Sequence, residues 1–165
     1  MNSAAHSPLG TRTQAVGLIV WLVVTLAAAG LGNWATMLSV GDWYHQLARP
    51  DWTPPDWIFG PVWAALYAMM AVAAWLVWRQ ARSSNSALVL YVLQLALNVI
   101  WSVLFFGLRS PALAAVEIVV LWLVILATLS AFWRRSPPAG LLMVPYAAWV
   151  AFAALLNFEF VRLNG

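Results

Sequence analysis

Long apolar runs alternate with short polar breaks along this chain, and the runs have the length of membrane-spanning helices. About 20 consecutive, mostly apolar residues cross a bilayer as a helix. Five runs meet that length: residues 15–34, 57–78, 87–108, 111–133 and 138–160. They are continuously apolar rather than alternating, which excludes the spans of a β-barrel. The predicted fold is an all-α integral membrane protein, a five-transmembrane-helix bundle. It forms a single domain over residues 13–165, after a disordered N-terminal tail over residues 1–12.

The breaks carry turn and capping chemistry. Ser110-Pro111 and Ser136-Pro137-Pro138 place a capping residue before a proline that suits the first helical turn. The connections after the second, third and fourth runs are short, which predicts that helices two to five are antiparallel neighbours. The one long connection, residues 35–56, holds three prolines, three acids, Trp43 and Trp52. Long loops in compact proteins tend to be functional or disordered, and the prolines and aromatics of this one argue for order. A cleaved leader ending near Ala27-Ala28-Ala29 is an alternative reading of the first run. Against it stand the run's length and its continuation to Trp34.

Composition narrows the functional classes. The 165 residues are 64% hydrophobic and 8% charged, with a mean hydropathy of +0.85. A soluble domain is about 45–50% apolar and about 25% charged, so this chain could not cover its surface in water. Eight arginines against five acids form no phosphate-binding stripe, so no nucleic-acid partner is expected. Without cysteine or lysine there is no thiolate metal site, cysteine nucleophile or Schiff base. No metal, cofactor or catalytic constellation is legible. Arginine placement (12, 79, 82, 134 and 135 against 49, 109 and 162) favours a cytoplasmic N-terminus.

Polar residues inside the runs must face a partner or a cavity. In the third run Gln94, Asn98 and Ser102 fall four residues apart, flanked by Tyr91, Trp101 and Phe105. Trp57, Gly60, Trp63 and Tyr67 repeat at helical spacing in the second run, as do Tyr146, Trp149, Ala153 and Leu156 in the fifth. Trp63, Trp101 and Trp149 lie too deep for an interfacial belt, and each indole N–H needs a partner. One reading is interhelical glue, worth roughly 0.6–2 kcal/mol per polar contact. The other is a shared pocket for a flat apolar ligand with a few polar edges. Pro145 should kink the fifth helix and free a carbonyl for Tyr146 or Asn98. Glu117 has Arg109 and Arg49 as candidate partners, or a place at headgroup level. The Ala28–Gly32 pair permits helix dimers.

The ordered motifs Trp43-Tyr44, Leu47-Ala48-Arg49-Pro50-Asp51-Trp52-Thr53-Pro54-Pro55-Asp56-Trp57, Gly60-Pro61-Val62-Trp63 and Leu66-Tyr67 resemble the first loop and second helix of the TspO/MBR family. This is the family of the translocator protein or peripheral-type benzodiazepine receptor. Tyr91, Gln94, Asn98, Trp101 and Phe105-Phe106-Gly107 are similar to its third helix, and Pro145-Tyr146, Trp149, Phe152-Ala153 and Leu156-Asn157 to its fifth.

The resemblance implies a membrane receptor or carrier for porphyrins (protoporphyrin IX and haem-pathway tetrapyrroles) and related flat hydrophobic molecules. The porphyrin is the ligand, and no separate cofactor is implied. The pocket would comprise Trp57, Trp63, Tyr67, Gln94, Asn98, Trp101, Phe105, Tyr146, Trp149, Ala153 and Leu156, under a lid with Trp52, Pro54 and Pro55. It also implies a homodimer in a bacterial envelope membrane. One alternative is light- and oxygen-dependent porphyrin degradation at Trp63 and Trp149. Another is a stress-sensing membrane scaffold. The animal sterol motif is broken, because Phe158 stands where that motif has tyrosine.

Overall fold

Helix follows hydrophobicity closely along this chain, and the computed structural model describes residues 10–37, 41, 43–80 and 86–165. It holds α1 (Thr11–Met37), α2 (Asp56–Trp78), α3 (Ser86–Ser102), α4 (Pro111–Arg135) and α5 (Pro137–Asn164). All five are long and apolar enough to cross a membrane, with α3 continued by a π-helical turn to Gly107. The protein is a five-helix bundle. Several ends extend past those expected. Thr11 and Arg12 belong to α1, which runs on to Met37, α4 runs on to Arg135, and α5 runs on to Asn164; residues 1–9 of the expected tail lie outside the described residues. Hydropathy marks where a helix meets lipid, whereas backbone bonding continues into water. The last turns of α5 do so with an Arg162–Glu159 ion pair at 2.6 Å.

The order around the bundle is α1–α2–α5–α4–α3, closing on α1. The expectation that α2 and α3 are neighbours is corrected, since the two touch only sparsely. Their connection, residues 79–85, can stretch about 3.3–3.6 Å per residue, enough to step past a helix of roughly 10–12 Å diameter. A short loop therefore fixes direction here but not adjacency.

The bundle has a dense half and a hollow half. Met70, Ala73, Ala74 and Val77 of α2 pack with Tyr91 and Leu95 of α3, Ile125 and Phe132 of α4, and Met143 and Val150 of α5. All lie away from the α1–α2 connection. Small residues permit the close approach: a Cβ on Gly17 would collide with the Trp78 ring, and one on Gly140 would sit 2.8 Å from Trp133 Cα. Gly32 also turns inward, where a Cβ would lie 3.3 Å from Ser102 Oγ. Gly32 thus serves close α1–α3 packing inside the bundle. Outward positions such as Val23, Leu31, Val116 and Leu155 are apolar and exposed, as lipid contact requires.

α3 ends in a π-helical turn over Val103–Gly107, with Leu108 N–H donating to the Val103 carbonyl at 2.8 Å. The extra residue in the turn lets Phe105 and Phe106 both be buried. Arg109 follows with φ of 52°, a left-handed turn residue that redirects the chain into Pro111. Ser110 and Ser136 hold the capping positions before α4 and α5, but neither side chain makes a capping bond.

Candidate functional site

Towards the α1–α2 connection the helices part around a cavity of about 550 Å³, within the range of roughly 300–1,000 Å³ usual for small-molecule sites. Four helices and the lid contribute walls. Leu26, Gly32 and Thr36 come from α1, and Phe59, Gly60, Trp63 and Tyr67 from α2. Asn98, Trp101 and Phe105 come from α3 and its π-turn, and Trp149, Ala153, Leu156 and Asn157 from α5. The mouth lies between α1 and α2, where the lining residues Asn33, Met37, Asp56 and Gly60 are exposed.

The floor is a satisfied polar relay. Tyr67 donates to Asn98 Oδ1 at 2.7 Å, and Asn98 Nδ2 donates to the Tyr146 hydroxyl at 3.3 Å. Tyr146 and Asn98 thus bind each other rather than a carbonyl freed by Pro145, and α5 runs unbroken through that proline. Trp63 stacks on Tyr67 with ring centres 5.4 Å apart and meets Tyr146 edge-on at 6.2 Å. Deeper, the Thr25 and Tyr91 hydroxyls share a 2.6 Å bond between α1 and α3.

The upper wall is tied by one amide. Trp101 Nε1 donates to Asn157 Oδ1 at 3.0 Å, and Asn157 Nδ2 donates to the Pro111 carbonyl at 2.9 Å. This joins α3, α5 and the start of α4 through one side chain. Trp149 faces the cavity and meets Phe59 at 5.8 Å.

The lid is ordered by aromatic packing and one arginine. Tyr44 is buried against Phe106 and Phe160, both at 5.6 Å, and lines the cavity. Arg49 lies 4.3 Å over the Tyr44 ring and donates to Asp56 Oδ1 at 3.1 Å. Burial pushes the Tyr44 hydroxyl above its usual value, opposed by the positive charge of Arg49. Thr53 closes a turn on the Pro50 carbonyl with its N–H and its hydroxyl.

Eight of the expected pocket residues therefore meet at one void: Trp63, Tyr67, Asn98, Trp101, Phe105, Trp149, Ala153 and Leu156. Six do not line it. Trp57 is 74% exposed, because α2 turns it away from the bundle. Trp52 is 48% exposed and packs on the outer side of α5 against Phe152. Pro54 and Pro55 shape the entry to α2 without reaching the cavity. Gln94 and Tyr146 are fully buried behind the wall, Gln94 with its Nε2 3.8 Å from Met70 Sδ. A four-residue step sends each side chain one turn deeper, so Gln94 falls into the dense half.

Tyr44, Phe106, Asn157 and Phe160 line the cavity unforeseen as site residues. Tyr44 and Phe106 stand inside quoted motifs, but only the π-turn and the lid packing show that they face inward. The expected partners of Glu117 are also corrected. Arg49 is engaged by Asp56, and among the described residues neither buried Glu117 carboxylate oxygen has a hydrogen-bond partner. Among the described residues no cluster of three or more potential metal ligands exists.

The sequence profile of the TspO/MBR family matches residues 19–163. The chain belongs to the TspO/MBR family. It is 42% identical over 155 residues to the tryptophan-rich protein TspO of Chlorobaculum tepidum, covering 92% of this chain and 98% of that one. It is 40% identical over 147 residues to the tryptophan-rich sensory protein of Cereibacter sphaeroides, covering 87% and 92%. To the translocator protein of Ovis aries it is 43% identical over 126 residues, covering 74% and 75%. Family membership and five helices of spanning length make this TspO/MBR protein a multi-pass membrane protein.

Proposed function

We propose that the cavity binds porphyrins, protoporphyrin IX and related tetrapyrroles, and that the protein is a membrane receptor or carrier for such flat hydrophobic ligands. The observation that carries this reading is the shared void between Trp63, Trp101 and Trp149, whose other walls are apolar apart from a few amide and hydroxyl groups and the Asp56 carboxylate at the mouth. Aromatic faces stack on a planar macrocycle, and isolated amides fix its orientation. Asp56 lines the mouth while paired to Arg49. A ligand carboxylate arriving there would compete with Asp56 for the guanidinium.

The test is quenching of intrinsic tryptophan fluorescence on titration with protoporphyrin IX in lipid nanodiscs. Trp149→Ala and Ala153→Trp should each weaken binding at least about tenfold, since the first removes a stacking face and the second fills the void. Unchanged affinity in both variants would sink the reading. Flux into sealed proteoliposomes then separates a carrier from a receptor.

A second reading is favoured by Trp63 and Trp149 sharing one cavity. A porphyrin held between them would be excited by light beside two electron-donating indoles, and dioxygen would be the oxidant that opens the macrocycle. Porphyrin breakdown that survives Trp63→Phe combined with Trp149→Phe argues against it. For orientation, Arg12, Arg79, Arg134 and Arg135 flank one end of the bundle, and Arg49, Arg109 and Arg162 the other; Arg82 lies outside the described residues. This bias supports a cytoplasmic N-terminus in a bacterial envelope membrane. Labelling of single cysteines introduced at Arg79 and Arg109 tests it.

A further inference from the structure

The lid is held by a contact that the cavity walls do not require. Asn164, the last residue of α5, faces Ala48 with its carboxamide. Ala48 N–H donates to Asn164 Oδ1 at 2.8 Å, and Asn164 Nδ2 donates to the Ala48 carbonyl at 3.0 Å. One side chain thus satisfies both backbone groups of one lid residue, as a neighbouring β-strand would. The second Nδ2 proton goes to the Phe160 carbonyl at 2.9 Å, which orients the carboxamide. The Phe160 ring packs on Tyr44, four residues before Ala48. A single turn of α5 therefore grips the lid at two points, and Tyr44 at the first of them lines the cavity.

The next lid residue extends the grip. Arg49 follows Ala48 directly, covers the Tyr44 ring and ties the lid to Asp56 at the start of α2. Asn164 itself is exposed at the bundle's end. Its loss opens no cavity and strands no buried group, so its two bonds act on the lid rather than on the stability of the bundle.

We propose that Asn164 is a latch: a positioning residue that holds the lid over the cavity and sets how fast a bound flat ligand leaves. The inference rests on the reading of the cavity as a porphyrin site. The latch needs an amide. Aspartate can accept from Ala48 N–H but turns a second oxygen toward the Ala48 carbonyl, and alanine loses both bonds. Two neutral hydrogen bonds at an exposed site are together worth about a tenfold change in the ratio of closed to open lid.

The experiment uses the full chain in nanodiscs. Hydrogen exchange is read on the lid residues 43–56, and the dissociation rate of protoporphyrin IX by stopped flow. N164A and N164D should each raise lid exchange and porphyrin dissociation about tenfold, with the thermal midpoint of the bundle unmoved. Because the chain has no cysteine, A48C combined with N164C can be joined by a short bridging reagent released by dithiothreitol. The bridge should slow dissociation below wild type, and reduction should bring it to the N164A rate. Lid exchange in N164A equal to wild type overturns the latch. Faster lid exchange with unchanged dissociation overturns its control of ligand exit. Faster lid exchange in N164A than in wild type, with no protoporphyrin bound by wild type, supports the latch and defeats the porphyrin reading instead.

Discussion

The Tyr67 hydroxyl donates to Asn98 Oδ1 at 2.7 Å, so α2 and α3, which otherwise barely touch, are joined at the floor of the cavity. Asn98 passes the link to Tyr146 on α5. Asn98→Leu leaves two buried hydroxyls without this partner, at about 1–3 kcal/mol each. It should lower the thermal midpoint in detergent by several degrees, and Tyr67→Phe should lower it less. An Asn98→Leu protein that melts with wild type would refute the relay.

Glycines separate the hollow half from the dense half. A Cβ on Gly60 meets nothing within 4 Å, whereas one on Gly140 meets Trp133 backbone. Gly60→Leu should keep or raise stability, by up to about 1 kcal/mol from helix propensity, while it blocks porphyrin binding at the mouth. Gly140→Ala should destabilise by about 1–3 kcal/mol through forced helix separation. Paired thermal melts and fluorescence titrations check both, and a reversed pattern would contradict the assignment of hollow and dense halves.

Glu117 buries both carboxylate oxygens without a hydrogen-bond partner among the described residues. An unpaired acid in a packed bundle is a liability that an apolar residue removes. Glu117→Leu should raise stability by about 1–3 kcal/mol, read as a higher melting midpoint. A lower midpoint would mean that the carboxylate has a stabilising partner.

Tyr44 supplies a pH dependence. Its hydroxyl is raised above the usual 10.0, chiefly by burial, so the folded lid holds its proton more tightly than the open chain does. The lid stabilisation from this group is complete below the usual tyrosine value and is lost as pH climbs through the raised one. Porphyrin affinity should hold to about pH 9 and decline above about pH 10, and Tyr44→Phe should remove that decline. An identical alkaline loss in Tyr44→Phe would assign it elsewhere.

Trp57 and Trp149 show where sequence reasoning stops. Both belong to helical spacings of aromatic residues and both stand in family motifs, yet Trp149 lines the cavity and Trp57 faces outward. Spacing says which residues share a face. It does not say which way the face turns when both sides of a helix are apolar, because lipid and core both accept the same side chains. Gln94 and Asn98 share a stripe, but only Asn98 reaches the void. The void ends where the helices converge, and that depth is a property of the assembled bundle.

By itself the sequence determined five apolar helices, their approximate ends, and membership of a tryptophan-rich membrane family. Those features follow from local hydrophobicity and from motif residues adjacent in the chain. The tertiary structure alone decided the ring order with α5 beside α2, the inward turn of Phe106 onto Tyr44, and the grip of Asn164 on Ala48. Each joins segments far apart in sequence, where the free energy lies in packing and hydrogen bonds that no local pattern encodes.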